Sequence, residues 1–123
     1  MHKILVVEDE TILQSVYYQI LTSKGYEVNV AGDGFEALQV LEVFTPDLIL
    51  LDILMPKMDG LEFLERAKLK QNYPNTKVIA FSNFSDIAKL NKVKELGASK
   101  SLLKSDVSPS DLVKIIQEEL GKK

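Results

Sequence analysis

Apolar residues fall along the chain in five short clusters separated by longer amphipathic stretches. Ile4–Val7, Leu48–Leu51 and Val78–Phe81 are nearly continuous runs, the pattern of strands buried on both faces of a parallel sheet. Ser101–Leu103 is a weaker run, and Tyr26–Val30 alternates apolar and polar residues, as a half-exposed edge strand does. The stretches between them carry helical periodicity. Ile12, Val16 and Ile20, with Leu13, Tyr17 and Leu21, form a broad stripe that ends before Gly25, a helix stop. Asp33 predicts a helix cap, reinforced by Glu36, ahead of Ala37, Leu38, Leu41 and Phe44. Asp59 and Glu62 repeat that signal for a helix carrying Leu61, Leu64 and Ala67. Ser85 opens a fourth helix, with Ile87, Leu90 and Val93 inward and Gly97 at its end. Ser108, Pro109 and Asp111 open a fifth, whose stripe is Leu112, Val113, Ile116 and Leu120.

Strand and helix thus alternate five times over residues 1–123, which predicts one α/β domain: a doubly wound parallel sheet with right-handed crossovers and helices on both faces. A chain of 123 residues with 46% hydrophobic residues can bury its own core, so no disulfide or metal staple is needed. The absence of cysteine excludes a disulfide scaffold, a thiolate zinc site and a cysteine nucleophile. The single histidine, His2, cannot build a histidine metal cluster or a Ser-His-Asp triad. A net charge of −3 argues against nucleic-acid binding, which wants a basic face. Leu48–Leu51 is far too short to span a membrane, and the N-terminus lacks the form of a signal peptide, so a soluble, cytoplasmic protein is expected. The chain stops just after the fifth helix, which fits a stand-alone messenger or relay and fits equally a unit cut from a longer protein.

The polar residues gather at the strand ends. Strand one runs into Glu8, Asp9 and Glu10, strand three into Asp52, strand four into Ser82 and strand five into Lys104. In open α/β sheets the working residues lie beyond the carboxyl ends of the strands, where the strand order reverses. Glu8, Asp9 and Asp52 brought together carry three negative charges, of which Lys104 offsets one. A divalent cation supplies the balance, and an all-oxygen donor set suits Mg²⁺ and disfavours zinc. Asp52 is the best candidate nucleophile toward phosphorus, Glu8 and Asp9 look like a metal-holding pair, and Ser82 can hydrogen-bond a phosphoryl oxygen. Each residue alone also has an ordinary reading: Glu8 and Asp9 as helix-start acids, Asp52 as a turn residue, Ser82 as a cap and Lys104 as a solvated charge. Those readings would have to coincide at four strand ends.

On the Glu8-Asp9 pair, the stretch from Asp52 through Pro56 to Asp59-Gly60, Ser82 and Lys104, the whole chain resembles a receiver domain of the two-component response regulators. The resemblance implies a flavodoxin-like fold with strand order 2-1-3-4-5. It implies that Asp52 accepts a phosphoryl group from the phosphohistidine of a partner histidine kinase or histidine phosphotransfer protein. Asp9 and Asp52 would hold Mg²⁺ directly and Glu8 through water, with the backbone carbonyl of Leu54 completing the protein ligands. Ser82 and Lys104 would bind the phosphoryl group. Phosphorylation would shift the face formed by helix four, strand five and helix five, read by a downstream protein or an attached output domain, as a monomer or a phosphorylation-dependent dimer. Such a domain is a signalling switch that catalyses only its own phosphorylation and dephosphorylation.

Three positions depart from the family pattern. Ser101 stands where an aromatic is usual, Ser105 where a proline is usual, and Asn83-Phe84 where a small residue is usual. Ser101 puts the family's rotamer readout in question. Phe84 is open to three readings: a substitute in the switch, an exposed partner contact, or simple packing. The rival to a phosphorylated switch is a receiver-like module that binds partners without phosphorylation. A phosphatase of the Asp-x-Asp type would need an acid where Leu54 stands, and Gly32-Asp33-Gly34 lacks the placement of a dinucleotide fingerprint.

Overall fold

The computed structural model describes residues 2–83 and 87–121. Along the chain run β1 (Lys3–Val7), α1 (Thr11–Ser23), β2 (Glu27–Ala31), α2 (Gly34–Leu41), β3 (Leu48–Leu51), α3 (Gly60–Ala67), β4 (Lys77–Ser82), α4 (Ile87–Glu95), β5 (Lys100–Leu103) and α5 (Pro109–Gly121). Two short helical turns, Leu69–Asn72 and Lys104–Asp106, follow α3 and β5. All strand pairings are parallel, and the order is β2-β1-β3-β4-β5. The expected doubly wound, flavodoxin-like sheet is therefore present.

The side-chain alternation of a strand explains the two core layers. From β1 and β3, Leu5, Val7, Ile49 and Leu51 point into a layer closed by Ala37, Phe63, Leu64 and Val93 of α2, α3 and α4. Their neighbours Ile4, Val6, Leu48 and Leu50 point the other way, onto Tyr17 and Leu21 of α1 and Leu112 and Ile116 of α5. Within Ile4–Val7 and Leu48–Leu51 no residue is more than 2% exposed, which is why the runs read as continuous. At about 1.5–3 kcal/mol for each large apolar side chain buried, these layers dominate the favourable side of folding. At the edge, β2 exposes Glu27 and Asn29 and buries Val28 and Ala31, as its alternation predicts.

The cap signals are realised. Asp33 Oδ1 accepts from the Glu36 N–H at 2.9 Å, and Asp59 Oδ1 from the Glu62 N–H at 2.9 Å. Ser108 Oγ accepts from the Asp111 N–H while Asp111 Oδ2 accepts from the Ser108 N–H, a reciprocal box. Gly25 and Gly97 end α1 and α4 at φ of +93° and +119°, a region costly for any residue with a Cβ. The predicted Ser85 cap lies outside the described residues.

Two expectations need correction. Ile12 is 78% exposed and takes no part in the core. The buried stripe of α1 is centred on Tyr17 and Leu21, and Ile12 lies about 140° around the helix from Tyr17 at 100° per residue. Phe63, absent from the expected stripe of α3, is fully buried, whereas Leu61 is only partly so. Glu119 was also missed: it is 4% exposed, with its carboxylate 3.9 Å from Lys100 Nζ and its carbonyl accepting from Lys77 Nζ at 2.6 Å. These contacts tie the end of α5 to the starts of β4 and β5.

Candidate functional site

The central strands end side by side because their register is in step. Val7 pairs with Leu51 across β1 and β3, and Leu51 with Ala80 across β3 and β4. Just past those pairs, the Glu8 N–H donates to the Ala31 carbonyl and the Asp52 N–H to the Val7 carbonyl, both at 2.9 Å. The ladder thus carries one residue beyond each strand and places both acids at one sheet edge.

Glu8, Asp52 and Ser82 are 2%, 6% and 2% exposed, unusual burial for polar residues that lack a structural partner elsewhere. Lys104 reaches in from the start of the turn after β5. Its Nζ donates to Glu8 Oε1 at 2.6 Å and to Asp52 Oδ2 at 3.1 Å. The second oxygens are held by backbone: Glu8 Oε2 accepts from the Glu10 N–H at 3.1 Å and Asp52 Oδ1 from the Leu54 N–H at 3.2 Å. Asp9 is exposed at the rim. One carboxylate oxygen from each of Glu8, Asp9 and Asp52 lies within 4.8 Å of the others. A cleft of about 140 Å³, lined by Asp9, Glu10, Asp52, Leu54, Ser82, Asn83 and Lys104, opens above them.

The electrostatics of this cluster are out of balance. Burial pushes the Glu8 carboxyl up to about 7 against the pull of the Lys104 hydrogen bond, and the nearby Asp52 charge adds to the rise. Burial likewise raises Asp52 above the usual carboxylate range, with Lys104 opposing. Burial pulls Lys104 down, but the Glu8 hydrogen bond and the charges of both acids outweigh it, so its pKa is raised. One ammonium thus faces three carboxylates, two of them buried. An all-oxygen set with this charge deficit fits a hard divalent cation such as Mg²⁺.

Ser82 Oγ is buried and has no hydrogen-bond partner among the described residues. Such a hydroxyl costs about 1–3 kcal/mol unless something else satisfies it. It lines the cleft beside Asp52 and Lys104, where an anionic oxygen can do so. Ser101 Oγ is likewise buried and unpartnered. Ser101 pairs in register with Ala80, two residues before Ser82, and so faces the same side of the sheet. The Leu54 side chain is 49% exposed and stands at the cleft rim. Phe84 lies outside the described residues. All peptide bonds among the described residues are trans, and Ser105 sits within the helical turn after β5.

The loop after Asp52 is shaped by close approach. A Cβ on Gly60 would lie 2.7 Å from the Asp52 carbonyl oxygen and 2.9 Å from Ile53 Cα, so α3 can start this near the site only with glycine. Met58 is fully buried, and its carbonyl accepts from the Gly34 N–H at 3.0 Å. Asp59-Gly60 is therefore a helix start, and Met58 is packing. One contributor escaped the sequence reading. Gln14 donates its side-chain amide to the carbonyls of Glu8 at 2.9 Å and Ala31 at 3.3 Å. The available signal was an amide on the buried side of α1, three residues before Tyr17, where a polar group must find partners.

The sheet and its acidic edge define a class of α/β domain with a charged crevice at the switch in strand order. The family model for the response regulator receiver domain matches residues 4–117. Sporulation initiation phosphotransferase F of Bacillus subtilis is 34% identical over 78% of this chain and 76% of its own length. The Regulator of RpoS of Escherichia coli is 35% identical over 95% of this chain, which spans only 38% of that protein. The chain also spans 55% of the Mycobacterium tuberculosis transcriptional regulatory protein PdtaR, at 32% identity. Among solved structures, a CheY-like receiver domain protein of Methanospirillum hungatei superposes with a TM-score of 0.90 at 33% identity, covering 98% of this chain and 94% of that one. The chain belongs to the response regulator receiver domain family of two-component systems. Its acidic cluster fits an Mg²⁺ site, and no helix among the described residues is long and apolar enough to cross a membrane.

Proposed function

We propose that this chain is a phosphorylation-controlled switch whose phosphoacceptor is Asp52. The supporting observation is the Lys104 ammonium held between Glu8 and Asp52, with the unpartnered Ser82 hydroxyl on the same cleft wall. Asp9 and Asp52, with Glu8 through water and the Leu54 carbonyl, would hold Mg²⁺, which offsets the charge an incoming phosphoryl group meets. An Asp52 carboxylate oxygen attacks phosphorus as the bond from phosphorus to the donor histidine nitrogen breaks. The imidazole keeps that electron pair. Lys104 then pairs with a phosphoryl oxygen, and Ser82 gains the hydrogen bond it lacks. Lys104 thereby leaves its present contacts and Ser82 makes a new one, which favours a second arrangement of α4, β5 and α5.

The donor in this reading is a histidine kinase or histidine phosphotransfer protein, and the readers are a downstream protein or an attached output domain, with or without dimer formation. No nucleic acid or membrane is engaged by residues 1–123, and the setting is cytoplasmic. The chain's similarity to a relative named as a phosphotransferase is in keeping with a relay. Incubation with Mg²⁺ and acetyl phosphate tests the reading by intact mass. One phosphoryl group should add to the chain, and none to Asp52→Asn or in excess chelator. An unchanged mass for the unsubstituted chain would instead favour a module that binds partners without phosphorylation.

A further inference from the structure

The turn between β1 and α1 carries Asp9, the most exposed of the three clustered acids. Asp9 has no hydrogen-bond partner among the described residues, so backbone alone sets its aim. That backbone is held on both sides. Before it, the Glu8 N–H donates to the Ala31 carbonyl at 2.9 Å, and the Gln14 amide bridges the Glu8 and Ala31 carbonyls. After it, the Glu10 N–H meets Glu8 Oε2 at 3.1 Å, and the Glu10 carbonyl accepts from the Gln14 N–H at 2.9 Å. Gln14 is thus the residue that reaches both ends of the turn, and its side chain also fastens the turn to the edge strand β2.

We propose that Gln14 is a positioning residue for the cation site: its side-chain amide sets the β1–α1 turn so that the Asp9 carboxylate meets those of Glu8 and Asp52, given the Mg²⁺ reading of these acids above. Groups that hydrogen-bond the scaffold of a metal ligand commonly matter for affinity almost as much as the ligand. Without the two donors of the amide, the Glu8 carbonyl loses its side-chain partner, and Asp9 samples orientations in which its oxygen leaves the cluster.

The test titrates Mg²⁺ alone into the metal-free full chain and into Gln14→Leu and Gln14→Met. Both variants keep the reach of the side chain and lack its donors. Urea unfolding and amide spectra are recorded in parallel. The Mg²⁺ dissociation constant should rise about tenfold in both variants, with the Asp9 and Glu10 amide resonances already displaced before metal is added. A purely structural glutamine would lower the unfolding midpoint and leave the affinity of the folded protein alone. A dissociation constant within about twofold of the unsubstituted chain in a folded variant overturns the proposal. If neither variant folds, Gln14→Asn, which keeps the amide one methylene short of both carbonyls, carries the same comparison. Failure of the unsubstituted chain to bind Mg²⁺ would instead remove the cation reading itself, and the proposal with it.

Discussion

Lys104 decides the charge state of the cleft. Its ammonium is the one cation within salt-bridge distance of Glu8 and Asp52 among the described residues. Lys104→Met removes it and leaves two buried carboxylates facing each other. The expected cost is about 3 kcal/mol or more in urea unfolding at neutral pH without divalent cations, the usual penalty for orphaning a buried charge. The cost should shrink in mild acid, where Glu8 takes up a proton. The pH dependence of the unsubstituted chain follows from the same group. The folded Glu8 titrates at about 7, against an ordinary value of 4.5. Between those values the folded state binds more protons than the unfolded one, so stability falls as pH rises through the window. Thermal unfolding of the metal-free chain should show this loss, Glu8→Gln should flatten it, and added Mg²⁺ should reverse it. A profile unchanged by Glu8→Gln would show that Glu8 is not the source. At this scale the charged residues were legible because each follows a strand directly. Gln14 was not, since a single amide in a helix becomes meaningful only once β1 and β2 are seen to offer it two carbonyls.

The elements hold the site through their ends. Gly60 starts α3 against the Asp52 carbonyl, whereas Gly25 ends α1 with open space around the position of a Cβ. Gly60→Ala should therefore slow phosphorylation of Asp52 by moving the loop that carries it. Gly25→Ala strains only a φ of +93° and should cost about 1 kcal/mol of stability, with phosphorylation unchanged. Acetyl phosphate kinetics and urea melts on the pair separate the two effects. Capping was the most readable feature of the helices because Asp33, Asp59 and Ser108 each bond within three residues. Helix faces were less readable. Ile12 continues the sequence spacing of Val16 and Ile20, yet only the assembled packing of α1 shows which side is covered. Phe63 was missed because α3 is short, Gly60–Ala67, and its inward side depends on where the sheet lies.

Across the whole molecule, contacts between residues 52 and 96 positions apart close the cleft. Alternating strands and helices predict a parallel sheet, and the strand order that brings residues 8, 52, 82 and 104 to one edge is present here. The order itself came from family resemblance, because periodicity does not say which strands are neighbours. The chemical claim that rests on this convergence is that Asp52 forms an acyl phosphate. Reductive trapping with borohydride after Mg²⁺ and a small acyl phosphate, followed by peptide mapping, tests it most directly. The account predicts a reduced residue at position 52, absent when chelator precedes the donor. A reduced residue at another carboxylate, at Asp52 without any divalent cation, or none at all would contradict it.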